Sequence, residues 1–337
     1  MIRLRHKLTK GDFVLDVDVE IPDAGITGIF GKSGSGKTTL LRCIAGLERG
    51  ASEAGLPAHK RNVGYVFQQP TLFPHLDVRG NIEFGAKRAM SNRVDGSQVI
   101  DILRLGSFLD RKPDTLSGGE AQRVAIAAAL LRSPDLVLMD EPLASLDRAR
   151  KDELLPYFDR LHDELSVPVV YVSHDIEEIG RLCDHLVLLE NGRVTASGDL
   201  FDVLSRVDVP LLSGRNAGVV LWASAVEVED GLTKFHFADG DIWVPGVFAT
   251  DAAPLRLRIA ASDVSICRER PSQTTILNVL RVTVDAVHRV DDAISLVRLD
   301  AGNQVLLARV TNRSVARLEL KPADRVFAQV KSVTVRH

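Results

Sequence analysis

The sequence predicts two folded parts of different class: an α/β domain on a largely parallel sheet, followed by an all-β domain of antiparallel, barrel-like type. Three observations carry this prediction. Up to about residue 210, short and nearly continuous apolar runs alternate with helical patterns, as strands buried on both faces alternate with the helices that cover them. From about 211 the hydrophobic period drops to two, in short segments split by polar or Gly-containing turns, which is how half-buried antiparallel strands read. Finally, GKSGSGKTT at 31–39 lies between an apolar run and a helical pattern, the setting of a strand–loop–helix crossover.

The elements follow in order. Strand candidates of the first part are GITGIFG (25–31), NVGYVFQ (62–68), DLVLMDE (135–141), VPVVYVSH (167–174) and HLVLLE (185–190). The last pairs through Asn191-Gly192 with RVTASG (193–198), because an Asn-Gly pair supplies the positive φ angles of a two-residue hairpin. Helices are predicted over 37–45, 118–132 and 149–165, the last with Leu154, Leu155, Phe158 and Leu161 on one face. LLSGRNAG at 211–218 reads as a linker, giving domains 1–210 and 211–337. Beyond it, VLWASAVEV, TKFHFAD, LRLRIAA, LRVTVDAV, AISLVRL, QVLLARV and RVFAQVKSVTV alternate as strands, with no long helix between them.

Composition narrows the function classes. A chain of 337 residues, 45% hydrophobic and 26% charged, suits two globular domains with sizeable cores. A net charge of -3 with scattered basic residues calls for no nucleic-acid partner. Cys43, Cys183 and Cys267 lack metal-site or disulfide spacing and read as small core residues. The N-terminus has no apolar core of signal-peptide length, and no stretch reaches the roughly 20 apolar residues of a membrane span. A role at a membrane therefore requires a partner.

The chemistry concentrates in a few places. Gly31, Lys32, Ser33, Gly34, Ser35, Gly36, Lys37 and Thr38 fit G-x-x-x-x-G-K-[ST], with Thr39 beside them. Glycines let backbone N–H groups curl around phosphates, Lys37 supplies a point charge, and the Thr38 hydroxyl reaches Mg²⁺. The first part is thus an α/β P-loop NTPase domain. Asp140 and Glu141 emerge at the carboxyl end of a buried strand, where two acids are costly unless a cation or water meets them. Asp140 reads as a Mg²⁺ holder and Glu141 as the group that polarises the attacking water. Gln68 and His174 each follow an apolar strand on the same edge; alone, either is as readily a structural hydrogen-bonder. In LSGGEAQR (116–123), Ser117 and Glu120 form a capping box, and the capped helix start is itself an anion site.

Together, the P-loop, Gln68, LSGGEAQR, LVLMDEP, ASLD (144–147) and His174 resemble, in order and placement, an ABC transporter ATPase over the first 210 residues. That resemblance implies binding of ATP and Mg²⁺ in a head-to-tail homodimer, with Ser117, Gly118 and Gly119 of one subunit closing on ATP held by the other's P-loop. It further implies that Gln68 senses the γ-phosphate and its Mg²⁺, that His174 keeps the γ-phosphate and water in register, and that Asp147 ties one site to the other. Phe13, the aromatic ahead of Phe30, either stacks on adenine or packs in the core, since the alternation in FVLDVDVEI turns it either way. Members of the family carry a β-hairpin between the P-loop helix and the Gln-containing strand; here 46–61 is short and ASEAG (51–55) stands in its place.

The second part narrows the resemblance. QTTILNVLRVTV (273–284) with AQVKSVTV (328–335) is similar to the molybdate-binding-type, OB-like domain behind molybdate importer ATPases, covering about 272–337. RIAASDVSI, FPHLDVRGNIEFG, DEPLASLD and RKDELLPYFDRLHDEL resemble the same subfamily. The resemblance implies an ATPase on the cytoplasmic side of the inner membrane, working with integral-membrane permease subunits and an external oxyanion-binding protein. PTLFPHLDVRGNI would line the groove that receives a permease helix. Thr274, Thr275, Asn278, Lys331 and Ser332 offer oxyanion chemistry or are ordinary edge-strand polarity. Sulfate, iron or sugar import, and a non-transport oxyanion switch, are the alternatives, because fold does not encode cargo.

Overall fold

The computed structural model describes the chain except residues 49, 51–55, 90, 92, 165–166, 210, 213–216, 238–239 and 336–337, and the side chain of 163. The described chain forms two compact units, Met1–Gly198 and Asp199–His337. ASEAG and the middle of the 211–218 segment lie outside the described residues.

In the first unit, β1 (Ile2–Lys10) and β2 (Phe13–Ile21) alternate buried and exposed residues and pair antiparallel in unbroken register. Next come β3 (Ile26–Phe30), β4 (Val63–Val66), β5 (Leu136–Asp140), β6 (Val169–Ser173) and β7 (His185–Glu190); β3, β5, β6 and β7 are buried almost throughout, as their continuous apolar runs require, whereas β4, at the far edge, alternates half-buried and buried residues. β8 (Arg193–Asp199) returns from β7 through Asn191-Gly192, both at positive φ. The eight-stranded sheet runs β1-β2-β8-β7-β3-β6-β5-β4.

Helices α1 (Lys37–Ile44), α2 (Val78–Ala86), α3 (Gly96–Ile102), α4 (Gly118–Leu130), α5 (Arg148–Glu164) and α6 (Ile176–Leu182) connect these strands. Leu154, Leu155, Phe158 and Leu161 of α5 are all buried, as the 3.6-residue period predicts. Between α1 and β4 the described residues hold one 3-10 turn, Ala58–Lys60. Arg61 follows it and donates to the Cys43 and Ile44 carbonyls at 3.1 and 2.5 Å, adding to the Gly46 N–H on the former and capping the latter at the end of α1.

The second unit begins with α7 (Leu200–Leu204) and then builds two five-stranded sheets. One runs β11-β10-β9-β12-β18, from β9 (Gly218–Glu229), β10 (Leu232–Phe237), β11 (Gly240–Pro245), β12 (Leu255–Ala260) and β18 (Thr334–Val335). The other runs β13-β17-β14-β15-β16, from β13 (Val264–Cys267), β14 (Asn278–Arg289), β15 (Ile294–Asp300), β16 (Val305–Thr311) and β17 (Arg325–Val330). All their pairings are antiparallel, and the inward residues of both sheets share one apolar core.

Two readings need correction or addition. Cys267 is not a core residue: its position near the end of a short strand leaves it half-buried, with Sγ donating to Gln329 at 3.3 Å, whereas Cys43 and Cys183 are buried. The short helix α8 (Asn312–Arg317) also interrupts the β pattern, started by the Thr311 side chain, which accepts from the Ser314 N–H.

Candidate nucleotide site

Strand order assembles the site. β3, β6 and β5 lie side by side and parallel, with β4 beside β5. The segments leaving their carboxyl ends therefore meet along one edge, where ligands of open α/β sheets bind. These are the glycine loop after β3, His174 after β6, Asp140-Glu141 at the end of β5 and Gln68 after β4.

The loop is shaped by backbone that other residues resist. Gly34 and Gly36 have φ of 80° and 102°, a region glycine enters freely. A Cβ on Gly31 would lie 2.3 Å from the Leu189 carbonyl and 2.5 Å from Ser35 Oγ. The hairpin after β7 supports the same loop, with Gly192 N–H donating to the Ser35 carbonyl at 2.9 Å. Ser33, Gly34, Gly36, Lys37, Thr38 and Thr39 line an open cavity of about 570 Å³. Gly31, Lys32 and Ser35 form its backing: Lys37 Nζ donates to the Gly31 and Lys32 carbonyls at 2.9 and 3.1 Å, and Ser35 is buried. Phe13 lines the cavity too, its ring pressed on Gly36, and Gln68 and Glu141 complete the wall.

The charged groups are interlocked. Burial draws the Lys37 ammonium below its usual range, while Glu141 and Asp140 oppose that shift; Glu141 Oε1 lies 3.9 Å from Nζ. Asp140 accepts from Thr38 Oγ1 at 2.9 Å on one oxygen and from the Tyr65 hydroxyl at 3.0 Å on the other. Burial pushes its carboxyl upward, and those two hydrogen bonds work against the shift. Glu141 has a left-handed backbone, φ 47°, with its N–H donating to the Val172 carbonyl at 3.0 Å. A non-glycine residue held there stores strain of the sort found where a side chain must be aimed. Its Oε2 is 3.0 Å from His174 Nδ1, so acid and imidazole form one unit at the cavity mouth.

The residues present fit a nucleotide and its Mg²⁺. The loop is a cradle that side chains would fill, and a hydroxyl and a buried carboxylate lie together beside it. Among the described residues no group of three or more His, Cys, Asp or Glu side chains forms a metal cage; Mg²⁺ held through few protein ligands and nucleotide phosphates requires none.

Ser117, Gly118, Gly119 and Asp147 lie elsewhere. Ser117 and Glu120 form the complete capping box, with Ser117 N–H to Glu120 Oε2 at 2.7 Å and Glu120 N–H to Ser117 Oγ at 3.3 Å. Ser117 and Gly119 line a separate recess of about 90 Å³ with Arg123 and Arg150. Asp147 is exposed and accepts from the Arg150 N–H at 2.9 Å.

In the second unit, Thr274, Thr275, Lys331 and Ser332 are exposed, whereas Asn278 is buried. Asn278 accepts from the Trp243 N–H at 2.7 Å and donates to the Trp243 carbonyl at 3.0 Å, so both ends of its amide join one sheet to the other. Thr274 Oγ1 accepts from Ile276 N–H and Gln329 Nε2.

Two residues of the nucleotide site escaped the sequence reading. Tyr65 looks like a strand apolar in NVGYVF, and only strand order shows that its hydroxyl reaches Asp140. Lys10 joins the cavity wall because β1 folds back over β2; its ammonium lies 3.6 Å from Glu48, which also pairs with Arg42 at 2.9 Å.

Comparison with known proteins agrees with this geometry. Residues 14–144 match the ABC transporter family model, and residues 274–336 match the TOBE domain model. The chain is 48% identical to the molybdenum import ATP-binding protein ModC of Methylococcus capsulatus, covering 99% of each, and 49% identical to that of Thiobacillus denitrificans, covering 99% of this chain and 97% of the relative. A protein of the same name from Azotobacter vinelandii is 48% identical over 99% of this chain and 98% of its own. These alignments span 351 to 356 positions against 337 residues here, so they open gaps in this chain. The solved structure of cbiO1 from Clostridium perfringens, part of an ABC transporter complex, shares the fold: TM-score 0.52, 24% identity, covering 62% of this chain and 92% of its own. No described helix is long and apolar enough to cross a membrane. With relatives this similar along nearly its whole length, the chain belongs to the molybdenum import ATP-binding proteins of the ABC transporter family.

Proposed function

We propose that the protein hydrolyses ATP to drive molybdate import through a partner permease at the membrane. The observation that carries this reading is the convergence of Lys37, Thr38, Asp140, Glu141 and His174 on one edge of the sheet, in a chain nearly half identical to molybdenum import ATP-binding proteins. Lys37 neutralises β- and γ-phosphate charge while the glycine loop's N–H groups hold the same oxygens. Thr38 and Asp140, with Gln68, are the residues that would hold Mg²⁺, which when bound would supply charge neutralisation to the phosphates. Glu141 takes the proton of the attacking water, and His174, 3.0 Å away, orients that carboxylate and the water against the γ-phosphorus. Phe13, beside Gly36, offers adenine a ring face.

Ser117, Gly118, Gly119 and Asp147 stand apart from the cavity of their own chain, which suits a head-to-tail dimer where each set serves the partner's ATP. The capped start of α4 supplies N–H groups and the positive dipole end. Replacing Glu141 with Gln tests the assignment. ATP binding and the ATP-bound dimer persist, while hydrolysis falls by about two orders of magnitude or more; turnover at the parental rate would remove Glu141 as the base.

The permease docks at an apolar groove of about 280 Å³ beside β4, lined by Tyr65, Phe67, Phe73, Phe84 and Arg88. Phe67, Phe73 and Phe84 are 44%, 41% and 36% exposed, a clustering that marks an interaction surface. In the TOBE-matched segment, Thr274, Thr275, Lys331 and Ser332 offer hydroxyl and cationic groups to an oxyanion that reports on cytoplasmic supply, while the Asn278 amide is taken up by the Trp243 backbone. Calorimetric titration of the full chain should show saturable binding of molybdate and tungstate but not sulfate. Absence of binding would remove the sensing role and leave the ATPase intact.

A further inference from the structure

Outside the nucleotide cavity, α6 carries a buried charge, Glu178, only 4% exposed and bonded on both carboxylate oxygens. Its Oε2 accepts from the Tyr171 hydroxyl at 2.9 Å and from Ser173 Oγ at 2.8 Å, and its Oε1 accepts from Lys151 Nζ at 2.6 Å. Lys151 also reaches Asp175 at 3.4 Å. These partners come from two places that matter for catalysis. Ser173 directly precedes His174, and its Oγ also accepts from the Asp175 N–H at 3.0 Å, so the hydroxyl is fixed on both sides of the histidine. Lys151 lies in the first turn of α5, and its N–H donates to the Asp147 carbonyl at 2.9 Å.

A buried ion pair is a poor source of stability, because desolvation cancels most of its attraction. An apolar pair of equal volume would pack as well but would leave the turns free to slide. What the hydrogen-bonded pair supplies is a fixed geometry between the Asp147 end of α5 and the His174 turn. We infer that Lys151 and Glu178 are positioning residues for ATP hydrolysis, bracing the segment that faces the partner's site to the histidine of this chain's own site. A displacement of Asp147 on dimer closure is then carried through α5, Lys151 and Glu178 to the Ser173–His174 turn. The inference rests on the proposed roles of His174 in orienting the attacking water and of Asp147 at the partner's ATP.

The test is steady-state ATPase kinetics of the full-length protein with melting curves alongside. Lys151→Met should lower kcat about tenfold with KM for ATP within about twofold, because an interaction acting on the transition state alone is lost. Lys151→Arg, which keeps a donor to Glu178, should recover most of the rate. In a His174→Ala background, Lys151→Met should cause no further loss, the non-additivity of residues acting through one another. The double variant Lys151→Met, Glu178→Gln removes the unpaired charge, so its melting temperature should return toward the parent while kcat stays low. Recovery of kcat together with stability, or an undiminished tenfold loss on top of His174→Ala, would overturn the brace. A parental rate for His174→Ala alone would instead overturn the reading of the nucleotide site.

Discussion

Tyr65 shows how a residue of ordinary strand character enters the chemistry. Its hydroxyl occupies the Asp140 oxygen that Thr38 leaves open, at 3.0 Å, and its ring contacts Phe67 with centroids 4.4 Å apart. One side chain thus touches both the carboxylate proposed to hold Mg²⁺ and the wall of the exposed groove. A hydrogen bond to a charged acceptor is worth about 1.5–3 kcal/mol. Tyr65→Phe should therefore raise the Mg²⁺ concentration for half-maximal ATPase about ten- to hundredfold while leaving the rate at saturating Mg²⁺ nearly parental. An unchanged Mg²⁺ requirement would make the tyrosine a packing residue only. The glycine loop and the Asp140-Glu141 pair were legible in the sequence because each needs particular residues in a row. Tyr65 and Lys10 were not, because their role depends on neighbours 75 residues away for Tyr65 and on a hairpin folding back for Lys10.

At the scale of elements, α4 opens on a complete and charged cap. Ser117 and Glu120 close the capping box, and Arg111 adds a contact to Glu120 at 3.1 Å. The Ser117 N–H, with help from the Ser117 hydroxyl and Arg111, holds the Glu120 carboxyl below the usual range. A depressed folded-state pKa contributes stability that is present above the unfolded value of 4.5 and is lost as pH falls through the folded value. Glu120→Gln, which keeps the hydrogen bond to Ser117, should lower the melting temperature at pH 7, with the difference from the parent closing as pH falls below 4.5 and through the lowered folded value. A difference independent of pH would mean that shape, not charge, holds the cap. The strands were legible where apolar runs are unbroken, as in LVLMD, and the β7–β8 turn was legible in Asn-Gly. β13 was missed because VSIC is too short for a period of two to stand out, and β11 because the run IWV breaks the alternation in GDIWVP. Thr311 capped α8 inside a β pattern for the same local reason that Ser117 caps α4.

At the scale of the molecule, the chain pairs an ATPase unit, whose chemistry follows from strand order, with a β unit built from two sheets on one core. The change of hydrophobic period announced both, since parallel strands covered by helices and antiparallel strands open to water leave different patterns. Side-chain commitments in the β unit were not legible: Asn278 read as an oxyanion group or edge-strand polarity and instead holds the Trp243 backbone. Cargo lies beyond any single fold, so the central claim is tested in the assembled transporter. The decisive measurement is accumulation of labelled molybdate by proteoliposomes holding this protein, its permease and the external binding protein. ATP should drive uptake, competed by tungstate but not sulfate, and Glu141→Gln should abolish it. ATP hydrolysis without molybdate accumulation, or equal uptake by the Glu141→Gln protein, would contradict the account.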